Sequence, residues 1–472
     1  MPLDAVVVGG GPNGLAAAIE LARNGLRVHL VEASATPGGA ARTGPLTLPG
    51  FEHDLGSAVH PLGVGSPFFS SLPLEEHGLR WVHPEAPLVH VLDGGRAVCL
   101  ERSVDLTARR LGPDGPRYRR LVEPFVRMWP AFVDYVLGSP LRLPRDPALI
   151  GRFGLRALRT TAAIARGFRT EEARALLAGT AAHSGLPLDR VPSAAVGLVL
   201  MIAGHAVGWP APRGGAGALT RALASYLETL GGTIETGRRV ESLRELPEAR
   251  ATLLALTSRQ VADIAADRLP SRYGSKLSAW EYGPGAYKVD WALSGPIPWS
   301  AADATRATTV HVGGTLEEIA EAERAPWRGE CAQRPFVLLT QPTVADPSRA
   351  PDGRHTAWAY THVPNGWAGD ATEAIEAQVE RFAPGFRERI LARAVHRPGD
   401  LEAWDANLVG GDVNGGALTL PKLVGPLRQA MNPWSTPVPN LYVCSASTPP
   451  GGGVHGMCGY WGARAALAGT FG

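Results

Sequence analysis

The chain opens MPLDAVVVGGGPNGLAAAIELARNGLRVHLVEA, residues 1–33, and this stretch decides the fold. AVVV (5–8) is a short β-branched run of the kind that is buried on both faces in a parallel sheet. Gly9, Gly11 and Gly14 then fall in a G-x-G-x-x-G register. LAAAIELARNG follows at helical spacing, with Pro12 and Asn13 at its start and Gly25 as its stop. RVHLVEA supplies a second strand, tipped by Glu32 and Ala33. Each glycine has a reason: a tight turn, backbone approach to a pyrophosphate, and close helix–strand packing. The helix start offers unpaired N–H groups and a positive dipole end to phosphate, and Glu32 offers acceptors to a ribose diol. A dinucleotide site is predicted.

With 472 residues, 45% hydrophobic and 19% charged, the composition is that of a globular protein large enough for several domains. A formal net charge of +2 gives no argument for a nucleic-acid partner. Only Lys276, Lys288 and Lys422 are lysines; the other basic residues are arginines. With abundant Ala, Gly and Pro, this suggests a GC-rich bacterial genome. Cys99, Cys331, Cys444 and Cys458 show no paired spacing, so reduced thiols and a cytoplasmic setting are expected. No signal peptide and no membrane span are expected.

ATPGGAART (35–43) places Gly38, Gly39 and Arg42 directly behind the acid. It resembles the glycine–arginine extension of FAD enzymes of the glutathione-reductase structural class, in which these residues line the flavin diphosphate. GFEHDLGSAVHP (50–61) resembles the segment of the same class that passes near the isoalloxazine, and it contains His60. At the far end, NLYVCSASTPPGGGVHGMCGYWGARAALAG (440–469) reads as strand, Gly/Pro turn and helix. Its glycines expose N–H groups at a helix start, suited to the charge that develops at the flavin N1–C2=O edge on reduction.

With both ends in view, the chain resembles the phytoene-desaturase-like branch of the FAD-dependent amine oxidase superfamily. The likeness rests on GGGPNGLAAAIELARNG, on WPAPRGGAGALTRALASYLETLGGTIETG (209–237) and on YGPGAYKVDWALSGPIPW (282–299). It continues through PFVLLTQPTVADPSRAPDGRHTAWAYTHVPNGW (335–367), NLVGGDVNGGALTL (407–420) and the C-terminal motif. It implies an α/β fold in which a glutathione-reductase-type Rossmann FAD-binding domain (1–70, 209–280 and 401–472) is interleaved with an α+β substrate domain (71–208 and 281–400). Carried over residue by residue, it implies a non-covalent FAD site. That site is made of Gly9, Gly11, Pro12, Asn13, Gly14, Glu32, Ala33, Gly38, Gly39, Arg42, Val240, Ser445, Gly453, Val454 and His455. Relatives in the desaturase branch carry a β-hairpin after the TG-R-x-V strand; the segment is short here, which weakens a close analogy with carotene desaturases.

Candidate chemistry lies on two predicted strands. Period two on AYKVDWAL puts Lys288 and Asp290 on one face. A lysine in an arginine-dominated chain marks a place where a guanidinium does not serve, because lysine can lose its proton when buried. Amine oxidases of the superfamily carry a lysine on a similar strand that holds a water at flavin N5, so the resemblance implies a catalytic Lys288. The alternative is a Lys288–Asp290 surface pair. On TAWAYTHV, Trp358, Tyr360 and His362 share a face and form either an aromatic wall against a flat or polyene-like substrate, joined by His60, or ordinary packing. His455, at the start of the last helix, is expected to stay neutral near the flavin, as a positioning or catalytic group. No metal site is indicated. RDPALIGRFGLRALRTTAAIARGFR (145–169) mixes arginines with apolar residues, and peripheral membrane contact is the lesser reading of it.

The expected protein is an FAD-dependent oxidoreductase. It is expected to remove hydride from a small apolar or conjugated molecule of bacterial secondary metabolism in desaturation, dehydrogenation or isomerisation, and to pass the electrons to oxygen or a quinone. Two alternatives stand beside it: a flavin amine oxidase releasing hydrogen peroxide, and a non-catalytic binding protein like the escort and GDP-dissociation-inhibitor proteins.

Overall fold

A computed structural model describes residues 2–139, 142–419 and 432–472. The opening stretch folds as its pattern predicts, with strand Leu3–Val8, helix Pro12–Arg23 and strand Val28–Val31. The first strand is the centre of a wholly parallel five-stranded sheet. In spatial order the sheet runs Leu441–Val443, Ala249–Leu254, Leu3–Val8, Val28–Val31 and Thr233–Glu235. Strands from the two chain ends and the middle therefore lie side by side, with Val8 opposite Leu254 and Leu254 opposite Val443. Both faces are covered, as a parallel sheet requires. Helices Pro12–Arg23, Gly217–Thr229 and Met457–Gly469 pack on one side through Leu15, Ile19, Leu219, Leu223 and Ala463, and Val261 and Ile264 pack on the other.

TIETGRRV is strand only over Thr233–Glu235. Between it and Ala249–Leu254 the chain makes a single short 3-10 turn, Leu243–Glu245.

The second sheet has seven strands. Its order is Ile390–His396, Gly285–Leu293, His355–Val363, Val337–Thr340, Thr309–Val312, Leu88–Leu92 and Arg96–Leu100. All neighbours are antiparallel except the parallel pair Thr309–Val312 and Leu88–Leu92. Period two divides its side chains sharply. Tyr287, Val289, Trp291, Val310, Leu339, Ala357 and Ala359 form one apolar face with Ile375, Val379 and Phe382 of helix Thr372–Phe382. The opposite face carries Lys288, Asp290, Trp358, Tyr360, His362, His311 and His90. Over its outer part lies a helical layer, including Glu171–Ala182 and Ser193–Ala206, whose core is built from Leu176, Leu177, Leu198 and Met201.

The segment 145–169 is two helices, Pro147–Ala157 and Thr161–Ala165, with Thr160 capping the second through its side chain. Among the described residues no helix is long and apolar enough to cross a membrane.

Candidate functional site

Two positions of the dinucleotide turn require glycine. Gly9 takes φ +100°, and a Cβ on Gly14 would lie 1.8 Å from the Gly9 carbonyl oxygen. Glu32, 8% exposed, accepts from the Gly10 N–H at 2.6 Å and the Ser34 N–H at 2.7 Å, one on each carboxylate oxygen. The acid therefore ties the turn to the strand tip, with a second lone pair of each oxygen left for a ribose. Ala33 beside it is exposed, and Val240 is buried with Val6, Val8 and Val31 in the core beneath the sheet.

Gly38 and Gly39 both take positive φ, and a Cβ on Gly39 would stand 3.1 Å from Gly11 Cα. Arg42 donates to the Gly39 carbonyl at 3.0 Å and the Trp404 carbonyl at 3.3 Å, and its guanidinium lies 4.4 Å from the Trp404 ring centre. The C-terminal motif closes on the same place. A Cβ on Gly459 would lie 1.8 Å from the Asn13 carbonyl oxygen, so the last helix abuts the start of Pro12–Arg23.

In the approach to that helix, Ser445 accepts from the Ser447 N–H, Gly453 has φ +117° and Val454 is half-buried. His455 is fully buried and accepts the Met457 N–H on Nδ1 at 3.0 Å, while its carbonyl accepts from the Ser66 hydroxyl. Burial pushes its pKa down to about 4. The neutral ring expected from the sequence follows chiefly from desolvation rather than from the helix terminus. Its Nε2 is buried without a partner, as are Asn13 Oδ1 and His60 Nδ1. His60 is held through Nε2 to the Ser57 hydroxyl at 3.0 Å, and burial takes its pKa to about 4.

Lys288 and Asp290 are paired, but the surface-pair alternative is wrong: they are 3% and 0% exposed. They lie mid-strand in a sheet covered on both faces. Asp290 also faces His53 Nδ1 at 3.5 Å and His396 Nε2 at 3.7 Å. Burial raises the Asp290 pKa, but the Lys288 ammonium and His53 outweigh it and hold the carboxyl below its usual range. Burial also lowers the Lys288 pKa, and its Nζ stands 5.0 Å from the Trp358 ring centre. His53 comes from the segment just behind Arg42. Its neighbour Asp54 accepts from Thr43 and the Ala216 N–H and pairs with buried Arg349 at 3.0 Å. The glycine–arginine extension and the lysine strand are thereby joined through buried polar groups.

Trp358 and Tyr360 stack at 6.1 Å between ring centres, and Tyr360 meets His362 edge-on at 5.6 Å. Tyr360, like Ala40 and Trp404, also packs against the small cluster of Ala286, Leu401 and Leu408. Sequence reading missed Asp290 as a centre shared by Lys288, His53 and His396, and it missed Glu323, which pairs with His362 at 2.9 Å. Neither His53, His396 nor Glu323 stands in a motif, so only the three-dimensional neighbourhood reveals them. Among the described residues no group of three or more His, Cys, Asp or Glu side chains is arranged to hold a metal.

Fold and site together define an oxidoreductase built on a dinucleotide-binding domain. Residues 7–70 match the NAD(P)-binding Rossmann-like domain family. The chain is similar to pyridine nucleotide-disulfide oxidoreductase domain-containing protein 2 of Mus musculus, at 27% identity over 97% of this chain and 92% of the relative. It is 28% identical to the phytoene dehydrogenase of Streptomyces griseus, over 84% and 79% of the two chains. In fold it resembles cyclohexylamine oxidase from Brevibacterium oxydans, with a TM-score of 0.63, 16% identity, and 100% and 99% of the chains covered. It is thus a homologue of the phytoene-desaturase-like proteins with amine-oxidase-type neighbours in fold, as its motifs predict.

Proposed function

We propose that the chain binds FAD non-covalently in a glutathione-reductase-type site and dehydrogenates, desaturates or isomerises a small conjugated molecule. The observation that carries this reading is the meeting of glycine-lined turns from both chain ends, Gly459 against Asn13, beside the Gly38–Gly39 pair. The residues suit the cofactor. Gly9 and Gly14 of the first turn and Gly38 of the second leave no room for a Cβ, and the buried Asn13 Oδ1, His60 Nδ1 and His455 Nε2 lack protein partners. In this reading the stretches 1–70, 209–280 and 401–472 form the cofactor layer, and the remainder forms the substrate domain.

When bound, the flavin supplies a hydride acceptor at N5 and a route for two electrons to oxygen or a quinone. The chain's own residues do the rest. The amides of the first turn bind the pyrophosphate and Glu32 holds the ribose. The amides before the last helix would hold the ring's carbonyl edge and favour negative charge there. Lys288, buried on Asp290, holds a proton at Nζ over Trp358. The stacked Trp358 and Tyr360 orient a flat substrate and exclude water. Lysine beside two stacked aromatic rings also favours, as the second reading, oxidation of a neutral amine.

The test is the purified protein itself. It should be yellow with flavin absorption bands, take up FAD at micromolar concentration after stripping, and release free flavin on denaturation. A colourless protein that refuses FAD overturns the proposal, and colour that stays with the precipitate overturns its non-covalent part.

A further inference from the structure

The polar face of the seven-stranded sheet does not suit a hydrocarbon. His362 and Tyr360, two residues apart on one strand, face the same side, and His183 from the end of the helix Glu171–Ala182 approaches them. His362 donates from Nδ1 to the Glu323 carboxylate, at 2.9 and 3.1 Å to its two oxygens. With Nδ1 committed, its second nitrogen is the free end of the ring. No described residue hydrogen-bonds to that Nε2, and none to the Tyr360 hydroxyl. A Cβ on Gly185 would stand 3.8 Å from His362 Nε2, so the bare glycine borders the space in front of it.

Tyr360 and His183 are half-buried and each retains accessible surface, while burial raises the Tyr360 pKa and lowers that of His183 to about 3. Their accessible edges mark an opening in front of the His362 ring. Trp209 stacks on His183 at 5.8 Å and closes one side. Burial lowers the His362 pKa, but Glu323, helped by Asp412, outweighs it and raises the value above that of an ordinary histidine. The imidazolium form, with a second N–H at Nε2, is thus more accessible than in an ordinary histidine.

We propose that this opening takes a compact substrate by an oxygen acceptor, a carbonyl or carboxylate group, held by the Tyr360 hydroxyl and the His362 Nε2–H. The assignment rests on the oxidoreductase reading and narrows its substrate. An extended polyene leaves both donors unpaired in a desolvated site, which is costly. A cationic amine brings N–H donors to a ring N–H that is itself a donor, although the Asp412 carboxylate also acts on that ring. A planar molecule with one acceptor satisfies the donors while its ring lies against Trp209 and Tyr360. The distance along the strand from Tyr360 to Lys288, its cross-strand partner, sets such a molecule within reach of the proposed hydride-transfer centre.

The experiment titrates the purified holoprotein with benzoate, benzylamine and toluene, which share a ring and differ in the polar group. Binding is read by tryptophan fluorescence and by the flavin absorption band. Benzoate should bind at least about tenfold more tightly than either of the others. Tyr360→Phe, which removes a hydroxyl without a protein partner, should weaken benzoate about threefold to tenfold. Glu323→Gln should weaken it about tenfold or more, by removing the anion that keeps His362 a donor. Equal binding of toluene or benzylamine, or absence of benzoate binding at millimolar concentration, overturns the proposal. Unchanged benzoate affinity in both variants, with melting curves showing them folded, also overturns it. If the protein holds no flavin, the cofactor reading fails, while the fluorescence titration of the flavin-free chain still decides the acceptor site.

Discussion

Glu32→Ala tests the argument that one carboxylate both braces the dinucleotide turn and receives the cofactor. In the protein its two oxygens accept the Gly10 and Ser34 N–H groups at 2.6 and 2.7 Å, at 8% exposure. A hydrogen bond to a charged acceptor contributes about 1.5–3 kcal/mol. Truncation opens a hole that water can partly fill, so the pair is worth about 3 kcal/mol, the lower bound of the sum. Unfolding entropy near 2.1 cal/mol/K per residue gives roughly 1 kcal/mol/K for this length. The flavin-free variant should therefore melt about 3 °C below the flavin-free parent. Loss of the ribose contact should further weaken FAD by about tenfold to a hundredfold, measured by fluorescence quenching of added FAD. Glu32→Gln keeps one acceptor and turns an amide donor toward the other N–H, so it should fall between the two. An Ala variant with the parent's melting temperature and the parent's FAD affinity would refute both halves of the reasoning.

Lys288→Met leaves Asp290 buried without its main partner, a loss of about 3–5 kcal/mol. The variant should melt lower, and stopped flow should show slowed flavin reduction or reoxidation; parental rates in both half-reactions would remove Lys288 from the chemistry. Gly459→Ala forces a methyl against the Asn13 carbonyl oxygen, 1.8 Å from the built position. It should reduce flavin occupancy in purified protein, and full occupancy would contradict the close approach of the two chain ends. The pH dependence follows from His60, His90, His205 and His455, all carried by burial to about 4, and His183, carried to about 3. Their folded pKa values lie below the unfolded value near 6.5, so between these limits the unfolded chain binds more protons and stability falls as pH falls. Each contributes up to about 1.4 kcal/mol per pH unit there. The melting temperature should drop steeply from pH 6.5 toward pH 4, and a flat profile would show that these rings are not buried neutral.

The cofactor half of the fold was legible because its physics is local. A β-branched run, glycines at fixed offsets and a helix with a glycine stop all fall within residues 5–25, and each constraint acts within a few residues of its cause. Gly14 illustrates this: its neighbour in conflict, Gly9, is five positions away. The run Gly285–Leu293 and the run His355–Val363 were likewise visible, and period two placed Lys288 with Asp290 and Trp358 with Tyr360 and His362 correctly on shared faces. Leu88–Leu92, Thr309–Val312 and Ile390–His396 escaped notice, being short or, in the last case, without an apolar alternation.

Burial is what the sequence withheld, and burial decides the site. A lysine and an aspartate two apart on a strand read equally well as an exposed pair worth almost nothing or as a buried pair whose disruption costs several kcal/mol. The difference comes from residues far away: the helix Thr372–Phe382 seals the opposite face of their sheet, while His53, more than two hundred positions upstream, approaches Asp290. Glu323 is the same case. On its own helix it reads as one acid in LEEIAEAER, with Glu317, Glu318 and Glu321 alongside. Only Glu323 is turned inward against the His362 strand, at 1% exposure. A buried carboxylate must find a partner, and here it commits Nδ1 of His362 and leaves Nε2 toward the opening. The polarity of the candidate substrate opening is thus set by a residue that no local pattern distinguishes from its solvated neighbours.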